Sequence, residues 1–127
     1  MLTKDNEDDI SKIIVDCIFK VHKNLGPGLL ESAYESCLEY EIEKRNLEVK
    51  RQVTLPVKYD NLKIETGYRL DLLIEDSFIV EIKATEKMIP LYQAQLITYL
   101  KLSNIKTGLL VNFNTPLIKD GIRRLSV

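Results

Sequence analysis

No charge of one sign predominates. The chain carries 18 Lys and Arg against 19 Asp and Glu, a formal net charge of −1. The molecule as a whole therefore exerts no strong attraction on nucleic acid, and any such binding has to use a local patch. No apolar run approaches the roughly 18 residues that a membrane-spanning helix needs. No signal peptide stands out either, so the expectation is a cytoplasmic chain that does not enter a membrane. Cysteine is scarce, with Cys17 and Cys37 alone, which excludes a disulfide framework. Both fall at core-facing positions of predicted helices and read as buried thiols rather than a metal pair. His22 is the one histidine. Near a helix end it is expected to be a structural imidazole or a loop anchor rather than a catalytic group. Internal repeats and low-complexity stretches are also lacking, which removes solenoid and disordered architectures.

What is present is an ordinary globular composition, 45% apolar and 29% charged over 127 residues. That length predicts one domain over residues 1–127, large enough for a core but without room for a separate recognition module.

After a polar start over residues 1–6, expected to be frayed, Ile10, Ile13, Ile14, Cys17, Ile18, Val21 and Leu25 recur at three- and four-residue spacing. They mark an amphipathic helix. Gly26-Pro27-Gly28 ends it, because Gly26 can take a left-handed conformation and Pro27 cannot continue the helix. A second helix is predicted over residues 29–45, buried through Leu30, Ala33, Tyr34, Cys37, Leu38 and Ile42. Glu41 falls inside that arc without a partner visible in the sequence. Gly28, Glu31 and Tyr34 run along one edge of this helix, with Glu31 at the border of the apolar stripe. Such a carboxylate either complements the helix dipole or leans over a neighbouring sheet.

Alternation over residues 47–59 predicts a strand with Leu47, Val49, Val53, Leu55, Val57 and Tyr59 on one face. Asp60-Asn61 is read as a two-residue turn into a returning strand. Under that register Arg51 pairs with Leu70, Gln52 with Arg69 and Lys50 with Asp71. Pro56 lacks a ladder donor and places the first strand at or near an edge. Further on, Pro90 suits the first turn of a helix over residues 91–102, stopped at Ser103-Asn104. That helix carries Tyr92, Gln95 and Tyr99 along one side. A short buried strand follows at residues 109–113. Strand, helix and strand in succession imply a right-handed crossover and parallel pairing. The tail holds a Lys119-Asp120-Gly121 turn and a last strand at residues 122–126, with Arg123 and Arg124 solvated.

The stretch that organises the chain is residues 67–84, GYRLDLLIEDSFIVEIKA. Its two apolar runs, split by Glu75-Asp76-Ser77, read as a hairpin with a three-residue loop. Pairing Ile74 with Phe78 sets Leu72 opposite Val80, Asp71 opposite Glu81 and Arg69 opposite Lys83. Asp71, Glu81 and Lys83 then share one face with Leu73 and Ile79, which implies that the face is covered. Like charges directly opposed on a sheet destabilise it unless something positive sits between them. A hard divalent cation would serve, and a neighbouring Lys could stabilise developing negative charge or orient an attacking water.

Taken together, Gly28-x-x-Glu31-x-x-Tyr34, Asp71, Glu81-x-Lys83 and Gln95-x-x-x-Tyr99 resemble the GxxExxY family of the PD-(D/E)xK nuclease superfamily, over residues 22–124. The resemblance implies an α/β (α+β) restriction-endonuclease-like core: a mixed sheet of four or five strands flanked by helices, with an extra N-terminal helix. It implies a metal-dependent nuclease that hydrolyses DNA or RNA through a metal-activated water, with Mg²⁺ or Mn²⁺ as cofactor. Asp71, Glu81, the Ile82 carbonyl and Glu31 would hold the metal. Lys83 would orient the water or stabilise the transition state, and Gln95 would be a polar residue near the site. The residue before Asp71 is Leu70 where the motif's name has Pro. Nucleic acid is the expected partner, with a homodimer or a protein partner left open. The alternative is a catalytically silent nuclease-fold module that binds nucleic acid or protein.

Overall fold

The computed structural model describes residues 4–65 and 67–127. Of the start expected to fray, residues 1–3 lie outside the described residues, and the first helix already includes Lys4. It is α1 (Lys4–Leu25), followed by α2 (Glu31–Lys44). Ile10, Ile14, Cys17, Ile18 and Val21 form the buried stripe of α1. Gly26 ends that helix at φ +68°, its amide bonded to the His22 carbonyl at 2.7 Å. His22 is the anchor anticipated, its Nε2 lying 2.7 Å from the Thr115 carbonyl oxygen. Tyr34 stacks on Phe113 at 4.5 Å between centroids and ties the turn between the helices. Its hydroxyl donates to the Gly26 carbonyl at 2.6 Å and accepts from the Leu29 amide at 3.1 Å. Glu41 finds its partners in the seam between α1 and α2, Lys20 at 3.1 Å and Lys44 at 3.5 Å. The hydrogen bond from Lys20 holds its carboxyl below the ordinary range. Cys17 is a buried thiol as expected, but Cys37 is only half-buried, because it sits at the edge of the α2 stripe.

The strands are β1 (Val49–Thr54), β2 (Val57–Tyr59), β3 (Leu62–Ile64), β4 (Arg69–Ile74), β5 (Phe78–Lys83), β6 (Thr107–Asn112) and β7 (Ile122–Ser126), with α3 (Pro90–Ser103) between β5 and β6. Five of them form one mixed sheet in the order β1-β4-β5-β6-β7, while β2 and β3 make a separate hairpin. The β5–β6 pair is parallel and the other neighbours are antiparallel. One face packs Leu72, Val80, Ile82 and Val111 against Ile14, Ile18 and Leu38 of α1 and α2. The other packs Leu70, Ile79 and Leu110 against Leu96 and Leu100 of α3. Helices therefore flank the sheet in the restriction-endonuclease-like arrangement. Among the described residues, no helix is long and apolar enough to cross a membrane.

The strand predicted over residues 47–59 is two strands, and the predicted pairing with β4 is displaced. The β2–β3 hairpin keeps the predicted register, with Tyr59 opposite Leu62. Past Pro56, which cannot donate to a ladder, the pairing shifts by two residues: Lys50 faces Leu73 and Arg51 faces Leu72. Nor does the apolar alternation stay on one face. Leu47 and Val49 pack beneath the α1–α2 layer, whereas Val53 and Leu55 pack beneath α3.

Elsewhere the predicted elements and the structure agree within a residue or two, but Leu25 and Leu30, expected in the buried stripes, are exposed because they sit at the helix ends beside the α1–α2 turn. Pro90 opens α3, and Asn104 closes it at φ +60°. The last strand occupies the predicted residues, and the turn before it is a 3-10 helix, Ile118–Gly121. Arg123 and Arg124 are exposed, the latter paired with Asp8 at 3.0 Å. Gly121 is buried where the backbone crowds, and a Cβ there would collide with the Asn112 carbonyl oxygen. Gly121→Ala is therefore expected to destabilise the fold by roughly 1–3 kcal/mol or more, read as a lower urea midpoint at unchanged slope.

Candidate functional site

The site begins where β4 and β5 part. Their ladder runs from Ile74 and Phe78 to Leu72 and Val80, so the predicted pairings of Asp71 with Glu81 and of Arg69 with Lys83 do not form. Instead the two carboxylates take over the freed backbone donors. The Asp71 amide donates to Glu81 Oε2 at 2.8 Å, and the Ile82 amide donates to Asp71 Oδ2 at 2.8 Å. Each acid thus holds the other strand in place, and each keeps a second oxygen.

Asp71 and Ile82 line a cleft of about 220 Å³ with Glu31, Ser32 and Glu35 of α2 and Gln52 of β1. Glu31 stands exposed at the rim. Glu81 and Lys83 are not among the residues that line the cleft, and the Lys83 ammonium lies over the Tyr92 ring of α3, 4.6 Å from its centroid. Gln95 does not enter the cleft. It lines a separate apolar groove of about 450 Å³ with Tyr68, Leu91 and Tyr99. Lys50, expected beside the carboxylates, pairs with Asp76 at 2.9 Å.

Burial and crowding govern the charges here. Glu81 is 5% exposed. Desolvation, reinforced by the Asp71 charge, pushes its carboxyl up to about 8. Burial also raises Asp71 against the opposing hydrogen bond from the Ile82 amide, with Glu35 adding to the rise. The Tyr99 phenol is raised by burial and then by Glu81 and Asp71.

Glu35 is the residue that sequence reasoning missed. It is 7% exposed and accepts from Gln52 Nε2 at 2.7 Å and from Arg51 at 3.2 Å. The signal was its spacing, one helical turn after Glu31 on the same edge of α2.

Among the described residues, no group of three or more acidic, His or Cys side chains is drawn together as a ready-made metal cage. The donor chemistry nevertheless fits a hard divalent cation. Asp71 and Glu81 are crowded carboxylates whose repulsion a cation would relieve, and oxygen is the donor that Mg²⁺ and Mn²⁺ prefer.

A family model described as the PD-(D/E)XK nuclease superfamily matches residues 8–125. No curated protein and no solved structure matches the chain. Because that match takes in the sheet except the last residue of β7 and nearly all of both helical layers, with Asp71, Glu81 and Lys83 at the parting of β4 and β5, the chain belongs to the PD-(D/E)XK nuclease superfamily.

Proposed function

We propose that this chain is a metal-dependent phosphodiesterase that hydrolyses DNA or RNA, and that within the superfamily it falls in the GxxExxY group. The observation that carries the reading is the reciprocal lock between Asp71 and Glu81, with Lys83 next in line on β5. An acid pair that destabilises its own charged state, Glu81 buried and Asp71 half-buried, serves no packing purpose and suits a cation. Asp71, Glu81 and the Ile82 carbonyl would hold Mg²⁺ or Mn²⁺, supported by Glu31 from the rim. When bound, the ion would supply Lewis-acid polarisation of the phosphodiester and a more acidic water.

The chain's own groups do the rest. Glu81 and Asp71 fix one another through the Asp71 and Ile82 amides, and Gln52 also donates to Asp71 Oδ1, so the carboxylates are pre-set. Lys83 places a positive charge where the attacked phosphate gains negative charge, and Tyr92 keeps its ammonium from wandering. Gln95 would contact the substrate further along α3. The whole chain would act as one domain.

The test is a cleavage panel on single- and double-stranded DNA and RNA in Mg²⁺ and Mn²⁺. The expected result is metal-dependent cleavage of at least one substrate, abolished by chelator. Absence of cleavage by the purified protein, alone and with its native partners, would remove the reading. The same preparation should melt higher in Mn²⁺, since a ligand at 100 times its Kd stabilises by about 2.7 kcal/mol. An unchanged melting temperature at millimolar Mn²⁺ would count against the metal. The net charge of −1 favours a second reading, a silent module whose affinity comes from a second copy or a protein partner. It predicts nucleic-acid or protein binding without cleavage in any metal.

A further inference from the structure

We infer that Gln52 and Glu35 are positioning residues for Asp71, with Gln52 as the link between helix α2 and the acid. The inference rests on the metal-dependent reading of the site. Its first ground is the backbone of β1. Gln52 sits at φ +50°, a left-handed conformation that a long side chain adopts only under constraint from its surroundings. Regular pairing continues on both sides of it, with Arg51 opposite Leu72 and Val53 opposite Leu70, but the residue opposite Asp71 is skipped. Ordinary alternation would send Arg51 and Gln52 to opposite faces. Here both turn toward α2, where Arg51 and Gln52 each bond Glu35, at 3.2 and 2.7 Å. The strained residue thus changes the face of its own side chain, and beyond it β1 packs its apolar residues against α3 instead.

The second ground is what that turn achieves. Gln52 Nε2 donates to Glu35 Oε1 at 2.7 Å and to Asp71 Oδ1 at 3.3 Å. One amide nitrogen, with two hydrogens, bridges two carboxylates that would otherwise repel. Asp71 Oδ2 is already fixed by the Ile82 amide, so Gln52 completes the orientation of the carboxylate plane. Glu35 in turn is held by Arg51, so the bridge is anchored at its α2 end. Partners of this kind commonly tune metal affinity by 10–100-fold without touching the ion.

Gln52→Gly separates a positioning role from a structural one, because glycine adopts the backbone conformation found here without steric cost. The metal-free variant sheds the backbone strain but also the bridge between the acids, so it is expected to melt close to the wild-type temperature and to bind Mn²⁺ about tenfold or more weakly by calorimetry. Gln52→Asn, which also tolerates left-handed backbone but is too short to span both acids, should behave alike. Glu35→Gln keeps an acceptor for the bridge and should retain more affinity than Glu35→Ala. Wild-type Mn²⁺ affinity in Gln52→Gly, or a loss of affinity that merely follows a lower melting temperature in both Gln52 variants, would overturn the inference alone. A wild type that binds no Mn²⁺ would overturn it together with the metal reading. A wild type that binds Mn²⁺ yet cleaves nothing would overturn the nuclease reading, while the affinity contrast still supported the bridge.

Discussion

Lys83→Ala is expected to reduce cleavage by about 10²-fold or more while leaving Mn²⁺ binding and the melting temperature close to wild type. The reason lies in what each group offers. Lys83 has no lone pair in its charged form and cannot be a ligand, and its ammonium rests on Tyr92 rather than inside the core. Its loss removes charge stabilisation that matters as the phosphate is attacked, not the means of binding a cation. Asp71→Ala should differ on both counts. It takes away one carboxylate of the donor pair and the acceptor of the Ile82 amide, so Mn²⁺ affinity and turnover should fall together. Calorimetry with Mn²⁺ and initial rates on one labelled substrate distinguish the two patterns. Activity that survives both substitutions undiminished would belong to a contaminant, and the assignment of the site would be lost.

Between pH 5 and 8 the metal-free protein is expected to lose stability as pH rises. Glu81 titrates near 4.5 when unfolded and near 8 in the fold. Within that window the folded state holds a proton that the unfolded state has released, so raising the pH favours unfolding. Asp71, also raised, acts in the same direction. A tenfold difference in proton affinity between the two states is worth about 1.4 kcal/mol, which makes the expected loss roughly 2–4 kcal/mol once relaxation around the pair is allowed for. Glu81→Gln keeps an oxygen to accept from the Asp71 amide but carries no charge. It should flatten the profile and melt on the order of 10 °C above wild type at pH 8 in chelator. Mn²⁺ should reverse that order, since the ion needs the carboxylate and stabilises only the protein that has it. Thermal melts of both proteins across pH, with chelator and with Mn²⁺, measure all four arms. A wild-type melting temperature that stays flat or rises between pH 5 and 8 in chelator would contradict a Glu81 carboxyl raised by burial.

Much of this molecule was written locally. The three- and four-residue spacing of Ile10 to Val21 predicts α1, and Pro90 with Asn104 brackets α3. The Glu75-Asp76-Ser77 turn sets Ile74 against Phe78, and the apolar runs on either side set Leu72 against Val80. These features depend on residues a few positions apart, whose side-chain periodicity reports directly on the backbone. The order of Glu31, Asp71, Glu81 and Lys83 along the chain was equally legible, and it carried the resemblance to a family. Three things were decided only in the assembled fold. The register between β1 and β4 moved by two residues, because Pro56 breaks the ladder and the β2–β3 hairpin keeps its own pairing. The backbone at Gln52 is left-handed, and its side-chain amide lies between Glu35 on α2 and Asp71 on β4. Asp71 and Glu81, expected to face each other across a continuous ladder, instead cap the amides where the strands part. In the last two cases the deciding partner lies well outside the few-residue window over which local periodicity operates, and in the first Pro56 is nearby but the strand that β1 must meet, β4, is not. The burial that raises Glu81, reinforced by the Asp71 charge, likewise exists only in the assembled sheet.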